Sequence, residues 1–103
     1  MARPYSEDFL LALTKADPTR IGVQLGKVCV KANLPTTYVA EAFNVSRMSI
    51  HSWFRGQYVR DKNYQRIAKF IDHVNFALDK GILPAMSIED AKEYLSAVRI
   101  DKI

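Results

Sequence analysis

The chain reads as an all-α protein: a compact domain of five to six helices. Three observations support this. Apolar residues recur at three- and four-residue spacing in one segment after another, the signature of a helix with one buried face. No stretch keeps the strict apolar/polar alternation of a half-buried strand. Between the periodic segments stand residues that start helices (Ser, Thr) and residues that end them (Asn, Gly, Pro). The 103 residues, 49% hydrophobic and 25% charged, suit one domain spanning 1–103 with one modest core.

Each element follows from its residues. Ser6 is placed to cap a first helix over 6–16, with Glu7 and Asp8 near its positive end. Phe9, Leu10 and Leu13 lie on one side of it, and Leu11 and Ala12 widen the stripe. Asp17-Pro18 breaks this helix, because the residue before a proline avoids helical geometry. Thr19 is the candidate cap of the second, in which Ile21, Leu25, Val28, Cys29 and Ala32 recur at helical spacing; Asn33-Leu34-Pro35 ends it. Thr36 or Thr37 caps a short third helix with Val39, Ala40 and Phe43 facing inward. Asn44-Val45 turns, Ser46 caps a fourth helix through Arg55, and Gly56 stops it. After the loop QYVRD a long helix runs over 61–80, with Tyr64, Ile67, Ala68, Ile71, Val74 and Leu78 at core spacing, and Gly81 ends it. Ser87 opens a last helix over 87–98, with Asp90 three residues on in an arrangement close to a capping box. Its stripe is Ile88, Ala91, Tyr94, Leu95 and Val98.

Composition narrows the function. No apolar run approaches the roughly 18 residues of a membrane span. The start, MARPYSEDF, is acidic where a signal peptide is apolar, so a cytoplasmic location is expected. Cys29 is the single cysteine, which excludes an internal disulfide. No Cys/His cluster suggests structural zinc, and no cofactor is expected. Gly-rich phosphate loops, nucleophile elbows and paired carboxylates are all missing, which points to a binder rather than an enzyme. The net charge of +4 is unevenly spread: Pro18 to Phe70 holds nine Lys or Arg against Glu41 and Asp61, a net of +7, while both flanks are slightly negative. Such a block attracts a polyanion.

The segment TTYVAEAFNVSRMSIHSWFRG, 36–56, carries the functional argument. Two short helices joined by a tight turn make a helix-turn-helix, whose second helix can enter the DNA major groove. The pair needs a small residue where the helices cross, and Ala40 supplies it. The turn needs a residue tolerant of left-handed angles, and Asn44 is the best choice after glycine. Val45 plugs the turn into the core, while Ile50 and Trp53 anchor the second helix. Ser46, Arg47, Met48, His51, Ser52 and Arg55 are left pointing outward.

The elements A-x-x-F-N-V-S around the turn, I-x-x-W-x-x-G over 50–56 and R-I-A-x-F-I over 66–71 together resemble the Cro and lambda-repressor-like DNA-binding domains of bacteriophage and bacterial regulators. The resemblance covers 19–72, leaving the first and last helices as additions. It implies a sequence-specific double-stranded DNA-binding protein, a phage- or prophage-type transcriptional regulator working at the nucleoid of a bacterial or infected cell. By position, it makes Arg47, Met48, His51 and Ser52 the readers of base edges; arginine suits guanine and Met48 a thymine methyl. Ser46, Arg55, Gln57, Tyr58, Arg60 and Lys62 would grip phosphates around the recognition helix, and Thr36, Thr37 and Tyr38 would do so at the start of the preceding helix.

Other readings attach to the same residues. Trp53 and Phe54 could stack single-stranded bases, but Trp53 fits the core better, with Phe54 at its rim. His51 has no Ser, Cys or carboxylate at a helical step with which to form a catalytic set. His73 reads as a surface residue beside Asp72, and the two histidines make a poor metal site. Cys29 reads as buried and inert. Arg66 and Lys69 read as solvated. Regulators of this kind usually pair, because one short helix reads few bases. The mildly acidic first and last helices are therefore candidates for a homodimer surface, or else simply complete the core. RNA polymerase or another phage or host protein is a further possible partner. The alternatives in function are a DNA-recognition subunit for phage packaging or recombination, like a small terminase, and a protein-interaction module that retains the helical fold.

Overall fold

In the computed structural model, which describes residues 5–98, all regular structure is helical. The elements are α1 (Glu7–Lys15), α2 (Ile21–Lys31), α3 (Thr36–Phe43), α4 (Arg47–Phe54), α5 (Asp61–Asp79) and α6 (Ile88–Ala97). Helices α2, α3, α4 and α5 form the body. α1 lies along α2 and α4, and α6 covers α3.

Three helices start as their residues dictate. The Ser6, Ser46 and Ser87 hydroxyls accept hydrogen bonds from the amides of Phe9, Ser49 and Asp90. The Asp90 carboxylate reaches back to the Met86 amide at 3.3 Å, one residue outside an ordinary capping box. Two expected caps are corrected. Thr19 does not cap α2: its amide and hydroxyl both donate to Asp17 Oδ1, tightening the turn before the helix, and Arg20 stands at the cap without a side-chain bond. Neither Thr36 nor Thr37 caps α3, because Pro35 takes that position and Thr36 is already helical.

Helices α2 to α5 end alike. Asn33, Asn44, Gly56 and Gly81 each take φ between 57° and 88°. The amide after each bonds back five residues, as from Val45 to the Ala40 carbonyl (3.0 Å) and from Gln57 to the Ser52 carbonyl (3.1 Å). This closure satisfies carbonyls that a helix end leaves open, and it reverses the chain sharply.

The core holds Phe43, Phe54, Phe70, Leu25, Leu34, Ile50 and Ile67, all essentially fully buried. Each such side chain contributes about 1.5–3 kcal/mol on removal from water. Trp53 is buried edge-on to Phe43, with ring centroids 5.8 Å apart. Phe54 does not sit at the rim. It is 1% exposed, enclosed by Tyr5 and Phe9 on one side and α2 on the other. The buried stripe of α5 is Asn63, Ile67, Phe70, Val74 and Ala77, rotated from the expected one; Tyr64 is exposed, and Ala68, Ile71 and Leu78 are half-buried. In α6, Ala91 and Leu95 are buried, but Ile88 faces water.

Arg66 is not simply solvated. Its guanidinium donates to Asn63 Oδ1 (3.1 Å) and to the Phe43 carbonyl (2.7 Å), and it stacks on the Phe43 ring. It therefore satisfies an open carbonyl at the end of α3 and places positive charge there, where the helix dipole favours it. The α5–α6 connection is tied down as well: the Ala85 amide donates to the Ala32 carbonyl (2.9 Å), and Asn33 Nδ2 to the Ala85 carbonyl (3.2 Å).

Glycine is required at one helix crossing. A Cβ on Gly22 would lie 2.1 Å from the Trp53 carbonyl oxygen, so α2 and α4 meet backbone to backbone. Because the obstacle is main chain, no side-chain rotation relieves it. Gly22→Ala is expected to cost about 3 kcal/mol or more, lowering the thermal midpoint by about 10 °C or more; a melting curve followed by circular dichroism checks this.

Candidate nucleic-acid interface

The candidate surface is built on α4. This eight-residue helix is too short to persist alone. Ile50, Trp53 and Phe54 hold it to the body, and the turn before it is closed by Asn44 in the left-handed region (φ 57°, ψ 46°). Three buried residues so spaced leave a definite outer face. Ser46, Arg47, Met48 and Arg55 are exposed, Met48 at 80%. Ser52 and His51 are half-buried at the margins. The structure therefore brings Arg47, Met48, His51, Ser52 and Arg55 to one side of one helix, and no acidic residue occurs between positions 42 and 60.

The flanking residues divide. Gln57, Tyr58, Arg60 and Lys62 are exposed around the exit of α4, Tyr58 at 77%. At the start of α3 only Thr37 is exposed. Thr36 is buried and hydrogen-bonds the Tyr5 hydroxyl, which itself donates to the Leu34 carbonyl. Tyr38 is half-buried toward α6, with Lys92 over its ring. Of these three expected phosphate contacts, the structure leaves Thr37 open to solvent, buries Thr36 and half-buries Tyr38. Ser46 is exposed, but its oxygen is occupied by the Ser49 amide (3.1 Å) and lies 3.1 Å from the Ser49 hydroxyl.

His51 is less free than its place on the exposed side suggests. The Phe9 ring meets it edge-on, with centroids 6.5 Å apart. Burial first, then the charges of Arg47 and Arg55 one turn to either side, hold its imidazole below the ordinary value of 6.5. The ring is therefore neutral at pH 7.

Two basic residues near the surface belong to elements outside the pattern that drew attention to it. Lys15, at the end of α1, lies by Arg55 and His51. The Arg20 stem would meet a Cβ on Gly56 at 3.5 Å, which puts it against the exit of α4. Neither can be found from helical periodicity, because only the packing of α1 and α2 on α4 brings them there. Cys29 is fully buried, and burial pushes its thiol far up. Among the described residues, no group of three or more His, Cys, Asp or Glu is disposed to hold a metal, and no helix is long and apolar enough to cross a membrane.

Compared with protein families, curated proteins and solved structures, the chain matches none of them.

The His51 environment has a measurable consequence. Between its depressed folded midpoint and 6.5, the unfolded chain binds more protons than the folded one, so stability falls as pH drops through that window. A ring-proton NMR titration is expected to give a midpoint below 6.5. His51→Gln is expected to flatten the dependence of the melting temperature on pH in the same window.

Proposed function

We propose that the protein is a sequence-specific double-stranded DNA-binding protein, a transcriptional regulator of the phage or prophage type, in which α3 and α4 act as a helix-turn-helix and α4 enters the major groove. The observation that carries this reading is the outer face of α4: a helix anchored by three buried residues presents arginines, methionine and hydroxyls with no acid within the surrounding loop-helix-loop. At 1.5 Å per residue, eight residues span about 12 Å, close to the width of the groove.

In this reading Arg47 offers two parallel donors to guanine, Met48 meets a thymine methyl and Ser52 contacts either base edge, while His51 stands at the margin of the read bases. Arg55, Gln57, Tyr58, Arg60, Lys62 and Thr37 line the flanks as phosphate contacts. Each neutralised phosphate adds affinity that salt removes. A single α4 reads only a few base pairs, so two copies on a symmetric site are expected. The chain measures 33 × 29 × 24 Å, which lets two copies sit side by side with their α4 helices about one DNA turn, roughly 34 Å, apart.

The test is selection of bound duplexes from a randomised pool at two salt concentrations. One enriched sequence class that survives the higher salt supports the reading; indifference to sequence, or no binding at low salt, overturns it. On the enriched site, Arg47→Ala is expected to cost about 1–3 kcal/mol of discrimination at one base position, and Lys62→Ala to weaken all sequences equally and reduce the salt slope by about one.

A further inference from the structure

Beside the recognition helix lies a cleft that the pattern of α3 and α4 does not account for. Its walls are α1, from Phe9 to the Ala16 that ends it, and the C-terminal half of α4. Phe9, Ala12, Leu13, Ala16 and Phe54 give it an apolar lining, and Lys15, His51 and Arg55 complete it. None of its lining residues is acidic. Lys15 and Arg55 are both exposed at its mouth, and His51 is held against Phe9. Two cationic side chains, Lys15 and Arg55, and the neutral His51 ring, which can donate one N–H, line the cleft with no acid among them, a set suited to an anion.

The shape and position of the cleft select the anion. Arg55 and His51 belong at once to the cleft and to the side of α4 that carries Arg47 and Met48, so the cleft opens onto the surface assigned to DNA. A strand of the duplex bordering the groove that receives α4 would pass along this edge. A nucleotide backbone has the matching chemistry: a phosphodiester for Lys15, Arg55 and the His51 N–H, and an apolar sugar face for Phe9 and Ala12. Of the nearby acids, Asp17 accepts hydrogen bonds from the Thr19 amide and hydroxyl, and those of α1, Glu7 and Asp8, are at the helix's other end. They are about two turns, or roughly 12 Å, from Lys15, beyond the screening length of about 8 Å at physiological salt.

Building on the DNA-binding reading above, we propose that the cleft between α1 and α4 seats a backbone phosphate of the bound duplex, so that α1, through Lys15, is part of the DNA-binding surface. The helix that looked like an acidic dimer face thereby acquires a second role at its basic end, clamping the strand that flanks the recognition helix.

The experiment is a titration of the enriched duplex against wild type, Lys15→Ala, Lys15→Arg and Ala12→Glu over a series of salt concentrations. Both positions are exposed, and melting curves establish that the variants fold. Lys15→Ala is expected to weaken binding about fivefold at 0.15 M salt, equally for all sequences, and to reduce the salt slope by about 0.9. Lys15→Arg restores both, and Ala12→Glu, which puts a carboxylate into the cleft, weakens binding further at low salt. If Lys15→Ala and Ala12→Glu bind like wild type while Arg47→Ala loses its base preference, the cleft proposal falls and the DNA reading stands. If wild type binds no duplex, both fall. Inorganic phosphate followed by NMR separates the remaining case: shifts at Lys15, His51 and Arg55 with an unchanged DNA salt slope identify a site for free anions and overturn the assignment to DNA.

Discussion

The geometry of this molecule turns on the place where α2 and α4 touch through their backbones. Gly22 has no side chain, and the Trp53 carbonyl occupies the space one would need. That approach lets an eight-residue helix bury three residues at once: Ile50 and Trp53 toward the body, and Phe54 between α2 and α1. A larger residue at position 22 would lift α4 away, and these side chains would lose their neighbours together. Gly26 continues the same seam, where a Cβ would meet Phe54 at 3.1 Å and Leu13 at 3.0 Å. Helix α2 is thus smooth where α4 and α1 lie on it. Its apolar bulk, Val23, Leu25, Val28 and Cys29, fills the interior alongside.

Around that seam, polar groups fix how α3 and α4 sit on the rest. Arg66 reaches from α5 to the last carbonyl of α3, so the turn at Asn44 is held from outside as well as by its own hydrogen bonds. Asn63, buried beside it, accepts the other arm of the guanidinium. Such a bond is worth about 1.5–3 kcal/mol where a charge is involved. Its larger effect is directional, because Asn63, on the same helix, aims the guanidinium whose other nitrogen reaches the end of α3. The link between α5 and α6 is fastened to the end of α2 at Ala32 and Asn33 in the same manner. The Asn44 turn that leads into α4 is therefore held both by its own hydrogen bonds and from α5.

Local signals in the sequence carry the local structure. Ser6, Ser46 and Ser87 cap the helices they were expected to cap, and Asp17-Pro18, Asn44, Gly56 and Gly81 break the chain where those residues favour a break. Misreadings arise where one position of rotation about a helix decides. In α5 the apolar residues Ile67, Ala68, Phe70 and Ile71 crowd nearly half the circumference, and the set that faces inward depends on the neighbouring helices. Thr36 looks like a cap because its hydroxyl can serve as one, yet Pro35 supplies the extended geometry first. Phe54 looks peripheral because α4 was assigned one buried side, whereas α1 and α2 give it two. For the candidate site, the α4 residues are legible as a group, because helical spacing alone puts them together. Lys15 and Arg20 are not, because no spacing along the chain relates them to Arg55.

The position of α1 also couples two events that look independent. It holds to the body through Phe9, Leu10 and Leu13, with Phe9 stacked on Tyr5 and packed on Phe54. Elements attached through so few side chains are the first to detach in local unfolding. Its departure would expose Phe54 and one flank of α4 to solvent, so the amide protons of α4 would exchange at a rate set by the opening of α1 as well as by that of their own helix. Helix α4 would then take its kinetic stability from a segment outside 36–56. Sequence changes over residues 5–15 would register as altered mobility at Arg47 and Met48, with no change in their chemistry.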